Sequence, residues 1–287
     1  MKIGIGVPNT MLEVSGTDLV EWAQRADAAG FSSLATIGRV AYPSFDEFTT
    51  LAAAGAVTER IGLLTNVLLV PAYSTPLLAK QTAAIDRISG GRLTLGVGVG
   101  GRPDDFVATG RSFAGRGRRM DEQLEELRAA WAGKPIGPAD TPVTAPVTNG
   151  EIPLLFGGDP RFAAKRMVRW NAGYTVGGAP LEMATGIIAA VREAFARVGG
   201  EGTPRIVALN YFSLGDEVAE ASLHNLRGYY AFAGDWTEGI AQGAARTADE
   251  IRRRQEGFAE AGVDEFIWDG TVGNPDQVDR LAEVAFG

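Results

Sequence analysis

The 287 residues include no cysteine and a single histidine, His224, and both scarcities narrow the chemistry. Without cysteine there is no disulfide, no thiolate metal site and no thiol nucleophile. No metal-ligand spacing and no Ser-His-Asp set can be laid out along the chain. Lysine is nearly missing too: of 27 basic residues only Lys2, Lys80, Lys134 and Lys165 are lysine. With so much alanine and glycine, that bias reflects codon supply rather than function. Acidic residues outnumber basic ones, and the net charge of −8 argues against nucleic acid or an anionic membrane surface as partner. No apolar run approaches the roughly 20 residues of a spanning helix. Lys2 opens the first strand with no apolar leader before it, so the expected location is the cytoplasm.

What is present is an alternation of two hydrophobic periods. Lys2 to Pro8 is a β-branched run. Leu19, Ala23 and Ala26 then mark one face of a helix that Thr17 or Asp18 can cap and Gly30 can stop. Phe31 to Ile37 reads as a strand, Phe45 to Thr58 as a helix, and Ile61 to Val70 as a strand apolar on both faces. A helix over Thr75 to Ser89, a strand over Arg92 to Val99 and a helix over Arg116 to Trp131 follow. Further strands are expected at Ile152 to Phe156, Gly173 to Val176, Arg205 to Leu214 and Asp264 to Trp268. Helices over Arg161 to Trp170, Leu181 to Val198, Asp216 to Phe232 and Ala248 to Ala261 separate them, and Pro275 to Ala285 closes the chain. Eight strands alternating with helices predict an α/β fold, one (β/α)8 TIM barrel spanning residues 1–287 as a single domain. The stretch 133–151, with Pro135, Pro138, Pro142 and Pro146 and no usable period, is a loop excursion within it.

In such a barrel the chemistry belongs at the carboxyl ends of the strands. That rule points to Asn9, Gly38, Arg39, Asn66, Val67, Gly98 to Arg102, Gly157 to Asp159, Gly177, Gly178, Asn210, Tyr211 and Asp269. Glycine dominates the set. Its bare backbone lets a ligand approach closely, and loop amides at helix starts suit phosphate. Gly96 to Gly101 (GVGVGG) satisfies the dinucleotide pattern G-x-G-x-x-G. It sits at the fourth strand, however, and Pro103 rather than a helix follows, so a nicotinamide-binding Rossmann enzyme is the lesser reading.

Leu77 to Gly101, LLAKQTAAIDRISGGRLTLGVGVGG, is similar to the signature of the bacterial-luciferase-like flavin monooxygenases and their coenzyme F-420-dependent relatives. The likeness continues in RGRRMDE (Arg116 to Glu122), and LLFGGDP (Leu154 to Pro160) resembles the glycine pair after that family's fifth strand. The resemblance implies a luciferase-like barrel holding reduced FMN or coenzyme F-420. It implies a bulge at the end of the third strand, with a non-proline cis peptide under one face of the flavin ring. The matching segment is Thr65 to Val67, with Asn66-Val67 as the candidate bond. It further places Gly157 and Gly158 near the ribityl and phosphate end, with Gly177 and Gly178 as companions. Gly98, Gly100 and Arg102 fall on the fourth-strand loop, where Arg102 can meet phosphate or an anionic substrate. Arg39, Asp105, Tyr211 and Tyr230 are candidate substrate contacts. Arg116, Arg118 and Arg119 read as helix-start surface, and His224 as an ordinary packed or solvated helix residue.

One departure stands out. Relatives carry Asp, or an Asp-His pair, at the end of the second strand near the reacting ring, whereas this chain reads Ile37-Gly38-Arg39. No proton-handling residue transfers, and the catalytic residue stays unassigned. The implied chemistry is oxidation or reduction of a small organic substrate. It takes either the oxygenating form, with reduced FMN from a separate reductase, or hydride transfer from reduced coenzyme F-420. A homodimer is the relatives' usual state. The alternative that Gly38 motivates is a barrel that only binds a flavin.

Overall fold

Eight strands close into a parallel barrel in sequence order, each hydrogen-bonded to the next and the last to the first. The computed structural model describes residues 1–138 and 140–287; residue 139, inside the expected loop excursion, lies outside the described residues. The first half contains β1 (Lys2–Gly6), α1 (Gly16–Ala29), β2 (Ser33–Thr36), α2 (Glu47–Val57), β3 (Gly62–Leu69), α3 (Thr75–Ile88), β4 (Leu93–Gly98), α4 (Pro103–Ala108) and α5 (Arg116–Trp131). The second half contains β5 (Leu154–Phe156), α6 (Pro160–Trp170), β6 (Gly173–Val176), α7 (Leu181–Arg197), β7 (Ile206–Phe212), α8 (Ala219–Tyr229), α9 (Trp236–Gln242), α10 (Ala248–Glu260), β8 (Glu265–Gly270) and α11 (Asp276–Phe286). A closed barrel removes the open-sheet Rossmann alternative. Among the described residues no helix is long and apolar enough to cross a membrane.

Local sequence explains most boundaries. The cap of α1 is Ser15, not Thr17 or Asp18: its side chain accepts from the Asp18 amide while the Asp18 carboxylate accepts from the Ser15 amide. Asp18 is therefore half of a capping box rather than the cap itself. Gly30 stops α1 in the left-handed conformation, φ 96°. Two short helices, α4 and α9, interrupt what the sequence presents as loops.

Strand alternation divides the core into two compartments. Outward side chains such as Ile5, Leu34, Leu95, Phe156, Phe212 and Phe266 pack under the helical ring. Inward ones, Ala35, Leu64, Leu155, Val207, Leu209, Tyr211 and Ile267, fill the barrel and continue upward into Leu226 of α8 and Ala241 of α9. Each enclosed Phe or Leu contributes about 1.5–3 kcal/mol through removal of apolar surface from water.

Glycine occupies many of the remaining inward positions. A side chain at Gly4 would strike Ile267, and one at Gly98 would press on Val67. On β3 the register with β4 shifts between Thr65 and Leu68, and the Asn66-Val67 peptide is cis. This bulge turns both Asn66 and Val67 toward the interior, since the Asn66 Oδ1 accepts from Thr175 Oγ1 of β6 at 2.7 Å and Val67 lies against Gly96, Gly98 and Gly157.

Candidate cofactor and substrate site

The carboxyl-terminal mouth takes one inward position from each strand or its extension: Gly6, Ile37, Val67, Gly98, Gly157, Gly177, Tyr211 and Asp269. Half of them are glycine. At the rim of β3, β4 and β5 the wall is formed by Val67, half-buried, between two glycines: a Cβ on Gly98 or Gly157 would lie 3.0 or 3.4 Å from its methyls. Such a wall accepts the face of a flat ring system. Asn66 adds a donor, because its Nδ2 is enclosed without a partner among the described residues. These features fit a flavin-type ring. Removing the hydroxyl that donates to the Asn66 side chain, by Thr175→Val, should lower stability by about 1–3 kcal/mol. A thermal melt checks this, and an unchanged midpoint would show that the bond is not needed.

The loop glycines behave differently from one another. Gly158 (φ 99°) and Gly100 (φ 75°) hold backbone shapes that favour glycine. The Gly158 carbonyl accepts from the Tyr174 hydroxyl, and that of Gly100 from Arg116 Nε at 2.8 Å. Gly177 is exposed and open, whereas Gly178 makes room for the Tyr211 ring, 2.8 Å from where a Cβ would stand.

The polar residues of the fourth loop are engaged with the protein. Asp105 is fully enclosed, and its Oδ1 accepts from the amides of Val40 and Ala41, both at 2.8 Å. Its Oδ2 accepts from Arg102 Nε at 2.9 Å, and Arg102 also donates to the Gly38 carbonyl at 3.1 Å. This knot fixes the loop after β2. Arg39 donates to the Tyr229 carbonyl at 2.8 Å, pairs with Asp104 at 3.3 Å and lies over the rings of Tyr42, Tyr229 and Phe232. Asn9 is likewise committed, joining the ends of β1 and β2 through the backbone of Ile37. His224 is exposed on α8.

The gap at Gly38 has a physical explanation. A Cβ there would stand 2.7 Å from both carboxyl oxygens of Glu47, so this carboxyl fills the space a side chain at position 38 would need. Glu47 is buried on the inner face of α2, and its Oε1 accepts from the Tyr73 hydroxyl at 3.1 Å. Burial pushes its carboxyl up to about 8, against the smaller lowering effect of the Tyr73 hydrogen bond. The sequence held a usable signal: Glu47, Thr50, Leu51 and Ala54 share one face at helical spacing, which puts an acid in an apolar stripe.

On the opposite side, Tyr211 and Tyr230 meet through their hydroxyls, with Tyr229 against Tyr230. Burial lifts the Tyr230 hydroxyl to about 12. A cavity of about 540 Å³ opens beside this pair, lined by Gly178, Met183, Tyr211, Trp236, Ile240 and Arg254 among others. Its largely apolar lining comes partly from α9, which escapes a sequence reading because seven residues are too few to show a period.

The family model of the luciferase-like monooxygenases matches residues 1–285. The chain belongs to this family. An uncharacterized protein of Mycobacterium tuberculosis is 32% identical over 195 residues, 58% of this chain and 68% of that one. Two solved luciferase-like barrels superpose on nearly the whole chain. A coenzyme F-420-dependent secondary alcohol dehydrogenase, solved with an F-420–acetone adduct, shares 20% identity and covers 99% of this chain and 97% of its own, with a TM-score of 0.77. The oxygenating constituent of the 3,6-diketocamphane monooxygenase of Pseudomonas putida, solved with FMN, shares 16% and covers 99% and 96%, with a TM-score of 0.72. Identities this low establish the luciferase-like fold.

Proposed function

We propose that this luciferase-like chain is a flavin- or deazaflavin-dependent oxidoreductase, one domain over residues 1–287, acting on a small and largely apolar organic substrate. The observation that carries it is the bare inner wall at Gly98 and Gly157 beside Val67. Val67 and Asn66 support the ring. Gly98, Gly100, Gly157, Gly158 and Gly177 leave backbone within reach of the cofactor, with Gly178 seating the Tyr211 ring behind them. The bound cofactor, reduced FMN or coenzyme F-420, supplies the electrons of the reaction. The chain orients it, keeps water out of the mouth and holds substrate in the cavity shared by Tyr211, Trp236 and Ile240. Arg39, Arg102 and Asp105 act here as the frame of the loops rather than as free charges. A cytoplasmic homodimer completes the proposal, supplied with reduced cofactor by a separate reductase. Likeness to barrels solved with each cofactor supports the cofactor reading. Titrating the purified protein with FMN and with coenzyme F-420 should perturb the absorbance of one of them and raise the melting temperature. If neither cofactor does so, the proposal falls.

A further inference from the structure

The sheet places an acid on the inner wall that no contact described so far employs. On β8, Ile267 and Asp269 both face inward, above the glycines of β1. Register pairs Gly6 with Asp269 and Asp269 with Tyr211, so the three stand at one level of the mouth on adjacent strands. A Cβ on Gly6 would fall on the Asp269 carboxyl, which shows that Gly6 is vacant so that this carboxyl can lie across it. Asp269 is 2% exposed, and its Oδ1 is enclosed with no hydrogen-bond partner among the described residues.

A buried aspartate with a purely structural task holds something, as Asp105 holds two amides and an arginine. Asp269 holds no such set. The titratable groups facing it are the hydroxyls of Tyr211 on β7 and of Tyr229 and Tyr230 at the end of α8, and β1 brings only glycine. The cations beside those tyrosines are spoken for: Arg39 by Asp104 and the Tyr229 carbonyl, Arg102 by Asp105. An unpaired acid at the carboxyl end of a barrel strand is where this architecture puts reacting groups.

Resting on the oxidoreductase reading above, we infer that Asp269, lying across Gly6 beside the Tyr211–Tyr230 hydroxyl pair, is the proton donor of this site and that the substrate presents a carbonyl oxygen to it. The carbonyl carbon takes a hydride from the reduced cofactor while its oxygen takes the carboxyl proton. The O–H bond at Asp269 breaks as the one on the substrate forms, the carbonyl becomes an alcohol, the cofactor is oxidised, and the carboxylate regains a proton from water. Burial alone holds the Asp269 carboxyl well above the usual carboxylate range, which favours the protonated form that can donate. The acid missing at Gly38 is thus supplied from β8.

Infrared spectroscopy tests this without turnover. At neutral pH the cofactor-free protein should show the stretch of a protonated carboxyl that disappears in Asp269→Asn and moves in heavy water. Carbonyl-labelled cyclohexanone added to the wild type should show a C=O stretch lowered by hydrogen bonding. In Asp269→Asn that lowering should be lost, while FMN and coenzyme F-420 affinities stay within about twofold of wild type. Absence of the acid band in the wild type, or of a shifted ketone band, overturns the inference, and so does an equal ketone shift in the variant. Glu47 is protonated at neutral pH as well, so the Asp269 band is the one that persists in Glu47→Gln, a variant that leaves Asp269 untouched. If the band and the ketone shift are present but neither cofactor binds the wild type, the oxidoreductase reading fails while Asp269 remains a neutral donor.

Discussion

Replacing Gly157 with tryptophan is expected to weaken binding of FMN and coenzyme F-420 at least about 100-fold, which is about 2.7 kcal/mol. The barrel itself should tolerate the change. A Cβ at this position lies 3.4 Å from a Val67 methyl and 3.6 Å from the Thr175 methyl, ordinary contact distances, and the site is half-buried at the mouth. The indole has to project from the wall between β4 and β6, over the face that Val67 presents. It therefore competes with the ring system for the same surface, and its bulk exceeds the space that the missing side chains leave. Gly157→Ala serves as the graded control, with a much smaller loss because one methyl meets Val67 without displacing it. Optical titration measures the affinities and a thermal melt confirms the fold. Unchanged affinity in the tryptophan variant would take Gly157 out of the cofactor site, and a collapsed melt with the alanine variant intact would point to packing instead.

The contrast between Gly157 and Asp105 shows what the sequence could carry. Periodicity located the elements because burial on one or two faces writes itself into spacing: β6 and α5 have the bounds that spacing predicts, Gly173–Val176 and Arg116–Trp131. The cis peptide lies at Asn66-Val67, where the resemblance placed it. Side-chain commitments across loops are not written that way. Asp105 and Arg102 look free in sequence, yet they close a knot with Val40 and Ala41, more than sixty positions away. Nor does spacing say where a strand ends when its last residues are polar. Expected to stop at Trp268, β8 runs on to Gly270, and this extension turns Asp269 from a loop residue into an inward-facing one. Alternation through Phe266, Ile267 and Trp268 was the signal available, and a polar side chain in phase with Ile267 is easily taken for the start of a loop.

Glu47→Gln should make the protein more stable at alkaline pH and leave it nearly unchanged in mild acid. The wild-type carboxyl is held near 8 in the folded state against an ordinary value of 4.5. Between those limits the folded chain binds more protons than the unfolded one, so its stability is full below about 4.5 and falls as pH rises toward 8. Above that range the accumulated loss is on the order of 3–5 kcal/mol for an enclosed group of this kind. Glutamine has the shape of the protonated acid and keeps an acceptor for the Tyr73 hydroxyl, so it removes the titration without emptying the space. Denaturant unfolding of both proteins at about pH 5 and about pH 8.5 checks the sign. Parallel curves with no pH-dependent gap would show that Glu47 is not the buried titrating group. The same geometry explains why the family's acid cannot simply be restored. An aspartate at position 38 would bring its Cβ within 2.7 Å of the Glu47 oxygens, so Gly38→Asp alone should destabilise the fold, and shortening the neighbour with Glu47→Ala should recover part of the loss. The vacancy at the end of β2 thus goes with where α2 buries its glutamate.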